Sequence, residues 1–178
     1  SFQSLTLTDE QLLMGEKNGK PVTLTGVLRL SKPGNDKLPA VILVHGSGGI
    51  ASYVTDWEQE LNAMGVATFI FDSFTPRGIN NTREDQSQLG RLAMIIDTYR
   101  ALDLLAKHPR IDPARIVVMG FSRGGQAALY AAMKRFQRMH GPANLEFAAY
   151  IAFYPQCNTA YHDDENVSDR PIRVFHGT

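Results

Sequence analysis

The sequence predicts an α/β fold in which a mostly parallel sheet has helices on both faces and antiparallel strands at its N-terminal side. Short, continuous apolar runs recur from residue 40 onward, a pattern typical of parallel strands that are covered on both faces. Longer stretches with helical spacing of apolar residues lie between these runs. Helices that alternate with buried strands imply right-handed crossovers within one sheet.

The individual elements follow from the change of period along the chain. Residues 5–8 and 22–30 are predicted as antiparallel strands, because apolar side chains alternate along the second and a KPGND turn follows it. The continuous apolar runs predict parallel strands at residues 40–44, 66–71, 116–119, 147–153 and 172–175. The stretches between them predict helices at residues 52–64, 86–106 and 123–139. Residues 1–178 are expected to form a single domain.

The composition limits the classes of partner. Eighteen basic and eighteen acidic residues give a formal net charge of zero, which argues against nucleic acid or an anionic membrane surface as the main partner. No apolar run in the sequence approaches the roughly 18 residues of a membrane span. Cys157 is the single cysteine, so it cannot form an intramolecular disulfide, and cysteine usage is compatible with a cytoplasmic or an exported protein.

Polar and glycine-rich segments follow three of the predicted parallel strands. HGSGG occupies residues 45–49, DSFTPRG occupies residues 72–78, and GFSRGG occupies residues 120–125. In open α/β sheets, ligands bind beyond the carboxyl ends of the strands. These three loops are therefore expected to meet at one functional edge of the sheet.

The GFSRGG segment predicts a nucleophile. A strand that stops at Gly-x-Ser-x-Gly and continues as a helix forms a sharp turn with the serine at its tip, and the flanking glycines are needed because Cβ atoms would clash there. Ser122 is thus the candidate catalytic nucleophile. The amide of Arg123 and an amide of the HGSGG turn, from Ser47 or Gly48, are expected to form the oxyanion hole.

These motifs together resemble the dienelactone hydrolase family of α/β-hydrolases. The resemblance rests on the segments at residues 41–49, 72–78, 108–116 and 120–125, and it extends from about residue 20 to the end of the chain. It implies an α/β-hydrolase fold and hydrolysis of an acyl substrate. The resemblance implies a cysteine nucleophile in the members that give the family its name, whereas this chain has Ser122 at that position. The difference favours a general carboxylic ester over a dienelactone as substrate.

The resemblance also implies an acid and then a histidine after Ser122 in the chain order of the fold. The acid is expected a few residues after the strand at residues 172–175, and therefore beyond Thr178. We accordingly interpret the chain as a hydrolase truncated after that strand, with the last strand and helix missing and little activity by itself. The exposed sheet edge left by such a truncation is expected to promote self-association.

Residues within the chain offer weaker candidates for the general base. His176 closes the last predicted strand, and His162 stands beside Asp163 and Asp164. His45 is expected to shape its turn, although a place on the pocket wall stays open. His108 and His140 are expected in a loop and at a helix end.

For other candidate residues, the sequence allows a functional and a structural interpretation. Asp72 and Arg77 either line the pocket or pair with each other and hold their loop. The Arg123 side chain either meets an anionic substrate or is solvated at the start of its helix. Cys157 is expected to be a small buried residue and not a second nucleophile.

The leading functional hypothesis is hydrolysis of a carboxylic ester, lactone or related acyl substrate through an acyl-Ser122 intermediate. A peptidase or acyltransferase of the same fold and a catalytically silent hydrolase-like binding domain are the alternatives. A small-molecule acyl substrate is the expected partner, no cofactor is expected, and no cluster of His or Cys has the spacing of metal ligands.

Overall fold

A computed structural model describes residues 1–156 and 158–177, so Cys157 and Thr178 lie outside the described residues. The strands are β1 (Phe2–Thr6), β2 (Lys20–Arg29), β3 (Leu38–Val44), β4 (Ala67–Asp72), β5 (Ile111–Phe121), β6 (Ala149–Phe153) and β7 (Ile172–Phe175). The helices are α1 (Asp9–Leu13), α2 (Ser52–Ala63), α3 (Ala93–Ala106), α4 (Arg123–Tyr130) and α5 (Lys134–His140). Short 3-10 turns occur at Thr75–Arg77 and Gln86–Gln88.

Within the described residues, seven strands form one sheet in the order β1-β2-β4-β3-β5-β6-β7. β2 pairs antiparallel with both β1 and β4, and the strands from β4 to β7 in this order run parallel. The predicted fold class is therefore confirmed. Because β3, β5 and β6 are parallel neighbours, their carboxyl ends lie side by side at one edge of the sheet.

Helices cover both faces of the sheet, as β3 illustrates. Its side chains alternate between the two faces, as a pleated strand requires. Ala40, Ile42 and Val44 belong to a hydrophobic cluster that includes residues of α3 and α4. Val41 and Leu43 belong to a second cluster that includes residues of α2. β3 is thus buried on both sides, which explains its continuous apolar run.

α1 is a helix that the sequence analysis did not predict. Thr8 Oγ1 accepts a hydrogen bond from Gln11 N (3.1 Å), and Gln11 Oε1 accepts one from Thr8 N (3.0 Å). This reciprocal pair is a capping box. The Thr-x-x-Gln pattern was therefore the available signal for α1, and the first strand ends before it, at Thr6.

The helix predicted at residues 123–139 divides into α4 and α5. Met133, between them, is extended (φ −70°, ψ 122°). A distant segment bonds to the backbone here: Lys134 N donates to Asn166 O (2.9 Å) and Ser168 N donates to Ala132 O (2.7 Å). Because these backbone groups are used in tertiary contacts, a continuous helix cannot form.

The helix predicted at residues 86–106 begins later, as α3 at Ala93. The 3-10 turn at Gln86–Gln88 is capped by Asp85, whose side chain accepts from Ser87 N at 2.9 Å. Leu89 then adopts an extended conformation (φ −141°, ψ 133°). The result is a segment at residues 82–90 that lies beside the elbow and the HGSGG turn.

Candidate active site

Ser122 lies at a sharp turn between β5 and α4. Its backbone has φ 52° and ψ −112°, a left-handed conformation that is costly for any residue with a Cβ atom. A methyl group at Gly120 would overlap the carbonyl oxygen of Gly124, and one at Gly124 would overlap the carbonyl oxygen of Val44. The glycines on both sides of the serine are therefore required by close backbone packing, as expected for a nucleophile elbow.

The strained backbone of Ser122 is held from two sides. Ser122 N donates to Phe153 O at the end of β6 (2.9 Å), and Ser122 O accepts from Gln126 N in α4 (2.9 Å). The turn is thus anchored to the neighbouring strand and to its own helix. This anchoring offsets the local strain and keeps the side chain at the carboxyl end of β5.

The HGSGG turn after β3 adjoins the elbow. A methyl group at Gly46 would lie 3.4 Å from Ser122 Cβ and 3.2 Å from Tyr53 Oη. Gly46 N donates to Tyr53 Oη (3.0 Å), and Gly49 N donates to Gly46 O (3.0 Å). The amides of Gly46 and Gly49 therefore have partners, in α2 and in the turn, and the oxyanion role is predicted for an amide between them.

The predicted oxyanion donors are the amide of Arg123 and one amide of this turn, from Ser47 or Gly48. Arg123 is the first residue of α4, so its amide has no carbonyl partner within the helix. Ser47 O accepts from Thr82 N (2.7 Å), which fixes the turn against the segment at residues 82–90. The oxyanion role of these amides stays a prediction, and the structure brings their two loops together.

His45 is fully buried, so it does not line an open pocket. Its Nδ1 lies 2.9 Å from Gly46 O and its Nε2 accepts from Ser73 N (3.1 Å), which assigns a neutral ring protonated at Nδ1. Burial lowers the pKa of His45 below its ordinary value. The ring packs edge-on against Phe74 at 4.6 Å between centroids. These contacts give His45 a structural place beneath the turn.

Asp72 and Arg77 do not pair with each other, contrary to one of the expectations for them. Asp72 Oδ1 accepts from Phe74 N (2.7 Å) and Thr75 N (3.1 Å). Partial burial raises the pKa of Asp72, but these hydrogen bonds and one from the Thr75 hydroxyl outweigh it and lower the pKa. Arg77 instead pairs with Asp97, donating to both carboxylate oxygens at 2.8 and 2.9 Å.

Asp97 is a buried carboxylate that the sequence analysis missed. It also accepts hydrogen bonds from the hydroxyls of Ser4 and Ser73. The same Ser73 donates its amide to His45. Asp97 therefore supports the loop after β4 and, through it, the HGSGG turn. A lone carboxylate in the apolar run AMIIDTY at residues 93–99 was the available signal.

The Arg123 side chain is buried, with 3% of its surface exposed, so neither expectation for it was right. It donates to the carbonyl oxygens of Gln86 (3.2 Å), Gly90 (2.8 Å) and Leu89, and to Gln86 Oε1 (2.7 Å). Burial lowers the pKa of Arg123. The guanidinium holds the segment at residues 82–90, and sequence reasoning missed Gln86 altogether.

Two further histidines have the structural places expected for them. His140 ends α5 and its Nε2 lies 2.7 Å from Leu12 O. His108 lies in the loop before β5, where its Nδ1 accepts from Arg110 N (3.2 Å). Both rings therefore bond to backbone groups.

His162 and His176, the base candidates within the chain, are both exposed. His176 follows β7 directly, and His162 lies in the long connection between β6 and β7. In the part of the chain that the structure describes, no hydrogen bond joins Ser122 to either histidine. A base role for them stays a prediction.

The described residues contain no group of three or more His, Cys, Asp or Glu side chains arranged to hold a metal ion. None of the helices in residues 1–156 and 158–177 combines the length and the hydrophobicity of a membrane span.

Comparison with known proteins identifies a family. The model of the dienelactone hydrolase family matches residues 26–178. A non-reducing polyketide synthase (pkbA) from Emericella nidulans is 28% identical over 134 residues, which are 72% of this chain and 5% of that protein. The chain therefore spans only a small part of this curated relative.

Solved structures share the fold. An acetyl xylan esterase from Paenibacillus sp. R4 aligns with a TM-score of 0.57 and 24% identity over 78% of this chain and 46% of its own. A structure titled as a dienelactone hydrolase from Klebsiella pneumoniae subsp. pneumoniae MGH 78578 aligns with a TM-score of 0.62 and 17% identity over 98% and 70%. The chain spans less than half of that esterase. At these identities the likeness establishes the α/β-hydrolase fold alone.

Proposed function

The chain belongs to the dienelactone hydrolase family, and from this premise we propose that the whole protein hydrolyses a carboxylic ester, lactone or related acyl compound through an acyl-Ser122 intermediate. The observation that supports the proposal most is the juxtaposition of the elbow and the HGSGG turn. A methyl group at Gly46 would stand 3.4 Å from Ser122 Cβ. The predicted nucleophile and the turn with the predicted oxyanion donors are therefore neighbours, as the proposed reaction requires.

In the proposed reaction, a general base removes the proton of Ser122 Oγ as this oxygen attacks the carbonyl carbon of the substrate. The carbonyl oxygen becomes an oxyanion, which the amides of Arg123 and of Ser47 or Gly48 stabilise. Collapse of the intermediate expels the alcohol, which takes up the proton from the base. Water then repeats the attack on the acyl-enzyme, releases the acid and restores Ser122.

We propose that the base and its orienting acid follow Thr178 in the whole protein, in the chain order serine, acid, histidine. The 178-residue chain is then expected to have at most residual turnover. Ester hydrolysis by this chain at the rate of the whole protein would overturn this part of the proposal.

A second candidate reaction is transfer of the Ser122 acyl group to a hydroxyl or thiol acceptor. The likeness to a stretch of a polyketide synthase favours it, and the chemistry differs only in the nucleophile of the second step. Added alcohol or thiol acceptors distinguish the two reactions, because a transferase forms an acylated acceptor at the expense of the free acid.

The experiment for the main proposal is turnover of 4-nitrophenyl acetate by the whole protein and its Ser122→Ala variant. Loss of the nucleophile is expected to lower kcat by up to about 10⁶-fold, to the level of the background. Ser52→Ala is the matched control, because Ser52 is exposed at the start of α2, and it should retain activity. Equal turnover by wild type and Ser122→Ala would contradict the proposal.

A further inference from the structure

The segment at residues 82–90 connects the two loops that carry the predicted oxyanion donors. Arg123 Nη1 donates to Gln86 Oε1 (2.7 Å), and Gln86 Nε2 donates to Ser47 Oγ (3.0 Å). The amide of Arg123 is one predicted oxyanion donor, and the amide of Ser47 is, with that of Gly48, a candidate for the other. A single side chain, Gln86, thus bonds to Arg123 and to the turn that carries the second predicted donor.

A second tie joins the same two loops. Thr82 N donates to Ser47 O (2.7 Å), and the Thr82 hydroxyl accepts a longer hydrogen bond from Arg123 Nη1 (3.5 Å). Thr82 is fully buried. The segment therefore contacts the HGSGG turn through its backbone as well as through Gln86.

The buried guanidinium of Arg123 lies at the centre of these hydrogen bonds, and its set of partners is unusual. Among the described residues, its hydrogen-bond partners are the neutral oxygens of the segment at residues 82–90, without a carboxylate. A buried guanidinium depends on partners for its donors, and here both Nη atoms bond to the segment, while Nε has no hydrogen-bond partner among the described residues. The segment and the arginine therefore hold each other, and the sequence position of Arg123 attaches this assembly directly to the nucleophile.

The spacing of the two donors matters for catalysis. An oxyanion is stabilised when donors lie 2.7–3.1 Å from the position that it will occupy, so a shift of a few tenths of an ångström weakens the interaction. The two amides belong to different loops, after β3 and after β5. Their separation is therefore set by whatever joins those loops.

We propose that Arg123, Gln86 and Ser47 form a clamp that fixes the separation of the two oxyanion-hole amides, with Gln86 as its positioning residue. This inference rests on the proposed function of the site. In this proposal Arg123 has two roles: its amide donates to the oxyanion, and its side chain helps to fix the separation of the two amides.

The test is a kinetic comparison of Gln86→Ala with wild type in the whole protein. Gln86 is exposed, so the fold is expected to survive. Removal of a donor costs about 10²–10³ in kcat, and a misplaced donor should cost less, about 10- to 100-fold, with KM little changed. A boronic acid that bonds to Ser122 should bind more weakly by a similar factor.

Two variants serve as references for Gln86→Ala. Gln88→Ala removes an exposed amide of the same segment whose partners among the described residues are Asn81 O and Asp85 O, so it should leave kcat within about twofold of wild type. Gln86 Oε1 also accepts from the Ser47 hydroxyl (3.1 Å). Gln86→Glu keeps an oxygen that can accept from Arg123 and from this hydroxyl, so its kcat should lie much closer to wild type than that of Gln86→Ala.

A double-mutant cycle separates the clamp from a general loosening of the loop. If Gln86 acts through Ser47, Ser47→Ala combined with Gln86→Ala should be no slower than the slower single variant. Independent, multiplicative losses would overturn the clamp, as would wild-type kcat in Gln86→Ala.

Failure of the clamp and failure of the proposed function give different results. If Ser122 reacts with an active-site serine probe and Gln86→Ala has wild-type kcat, the clamp alone is wrong. If Ser122 does not react at all in the wild-type protein, the proposed function is wrong and the clamp falls with it.

Discussion

Replacing Asp97 by asparagine should destabilise the protein strongly. Asp97 is fully buried, and Arg77, its partner, has 5% of its side chain exposed. The pair joins β1 to α3, because Arg77 also donates to Thr6 Oγ1 (2.8 Å) and Leu5 O (3.2 Å). Asparagine has nearly the same shape as aspartate but leaves the guanidinium buried without its counter-charge.

The magnitude follows from the burial of both partners. Removing one member of a buried ion pair costs about 3–5 kcal/mol, because the remaining charge is uncompensated. That is a large fraction of the roughly 5–15 kcal/mol that stabilises a typical domain. For a chain of this size, about 2–4 °C per kcal/mol converts the loss to a fall in Tm of roughly 6–20 °C.

The assay is thermal and urea unfolding at pH 7 with Asp103→Asn as control. Asp103 lies in the same helix and pairs with Lys107 on the surface, so its loss should cost less than about 1 kcal/mol. Combining Asp97→Asn with Arg77→Met should cost less than the sum of the single changes. A Tm for Asp97→Asn within about 2 °C of wild type would refute the reasoning.

Three further predictions follow from single features. Ser122→Gly relieves the backbone at φ 52° and should raise the unfolding free energy by about 1 kcal/mol, with loss of activity; urea unfolding that shows no gain contradicts the strain. Burial lowers the pKa of His45, so its neutral form stabilises the fold above an unfolded-state pKa of about 6.5, and this contribution disappears as the pH falls through the lower folded-state value. Between pH 7 and 5, wild type should therefore lose stability more steeply than His45→Gln, by up to about 1.4 kcal/mol per pH unit, and equal slopes would contradict this. Val174 on β7 is 48% exposed, so the 178-residue chain should self-associate through this edge of the sheet. Sedimentation velocity should show less self-association for Val174→Lys than for the unchanged chain. If the unchanged chain is a stable monomer, that result would argue against edge pairing.

The sheet could be predicted from the sequence because its strands are buried in a regular way. β7 has the predicted bounds of residues 172–175, and the parallel strands lie where continuous apolar runs occur. Backbone pleating and two-sided burial leave a direct signature in such runs. The elbow was predictable for a similar reason, since close backbone contacts at Gly120 and Gly124 demand glycine.

The parts that failed depend on contacts between distant segments. The break between α4 and α5 depends on backbone hydrogen bonds that join Ala132 and Lys134 to residues 166–168, which local helical spacing does not reveal. The sequence predicted Arg123 as a surface residue at a helix start, because the carbonyl groups that it binds belong to residues 86–90, more than 30 positions away. Pairing of Arg77 with Asp97 likewise joins residues 20 positions apart.

The central claim, that Ser122 is the reacting nucleophile, is tested most directly by covalent labelling. The whole protein is treated with a fluorophosphonate probe, and the labelled peptide is identified by mass spectrometry. The account predicts a single adduct on Ser122 and none in Ser122→Ala. Equal labelling of the two proteins, or an adduct on a different residue, would contradict it.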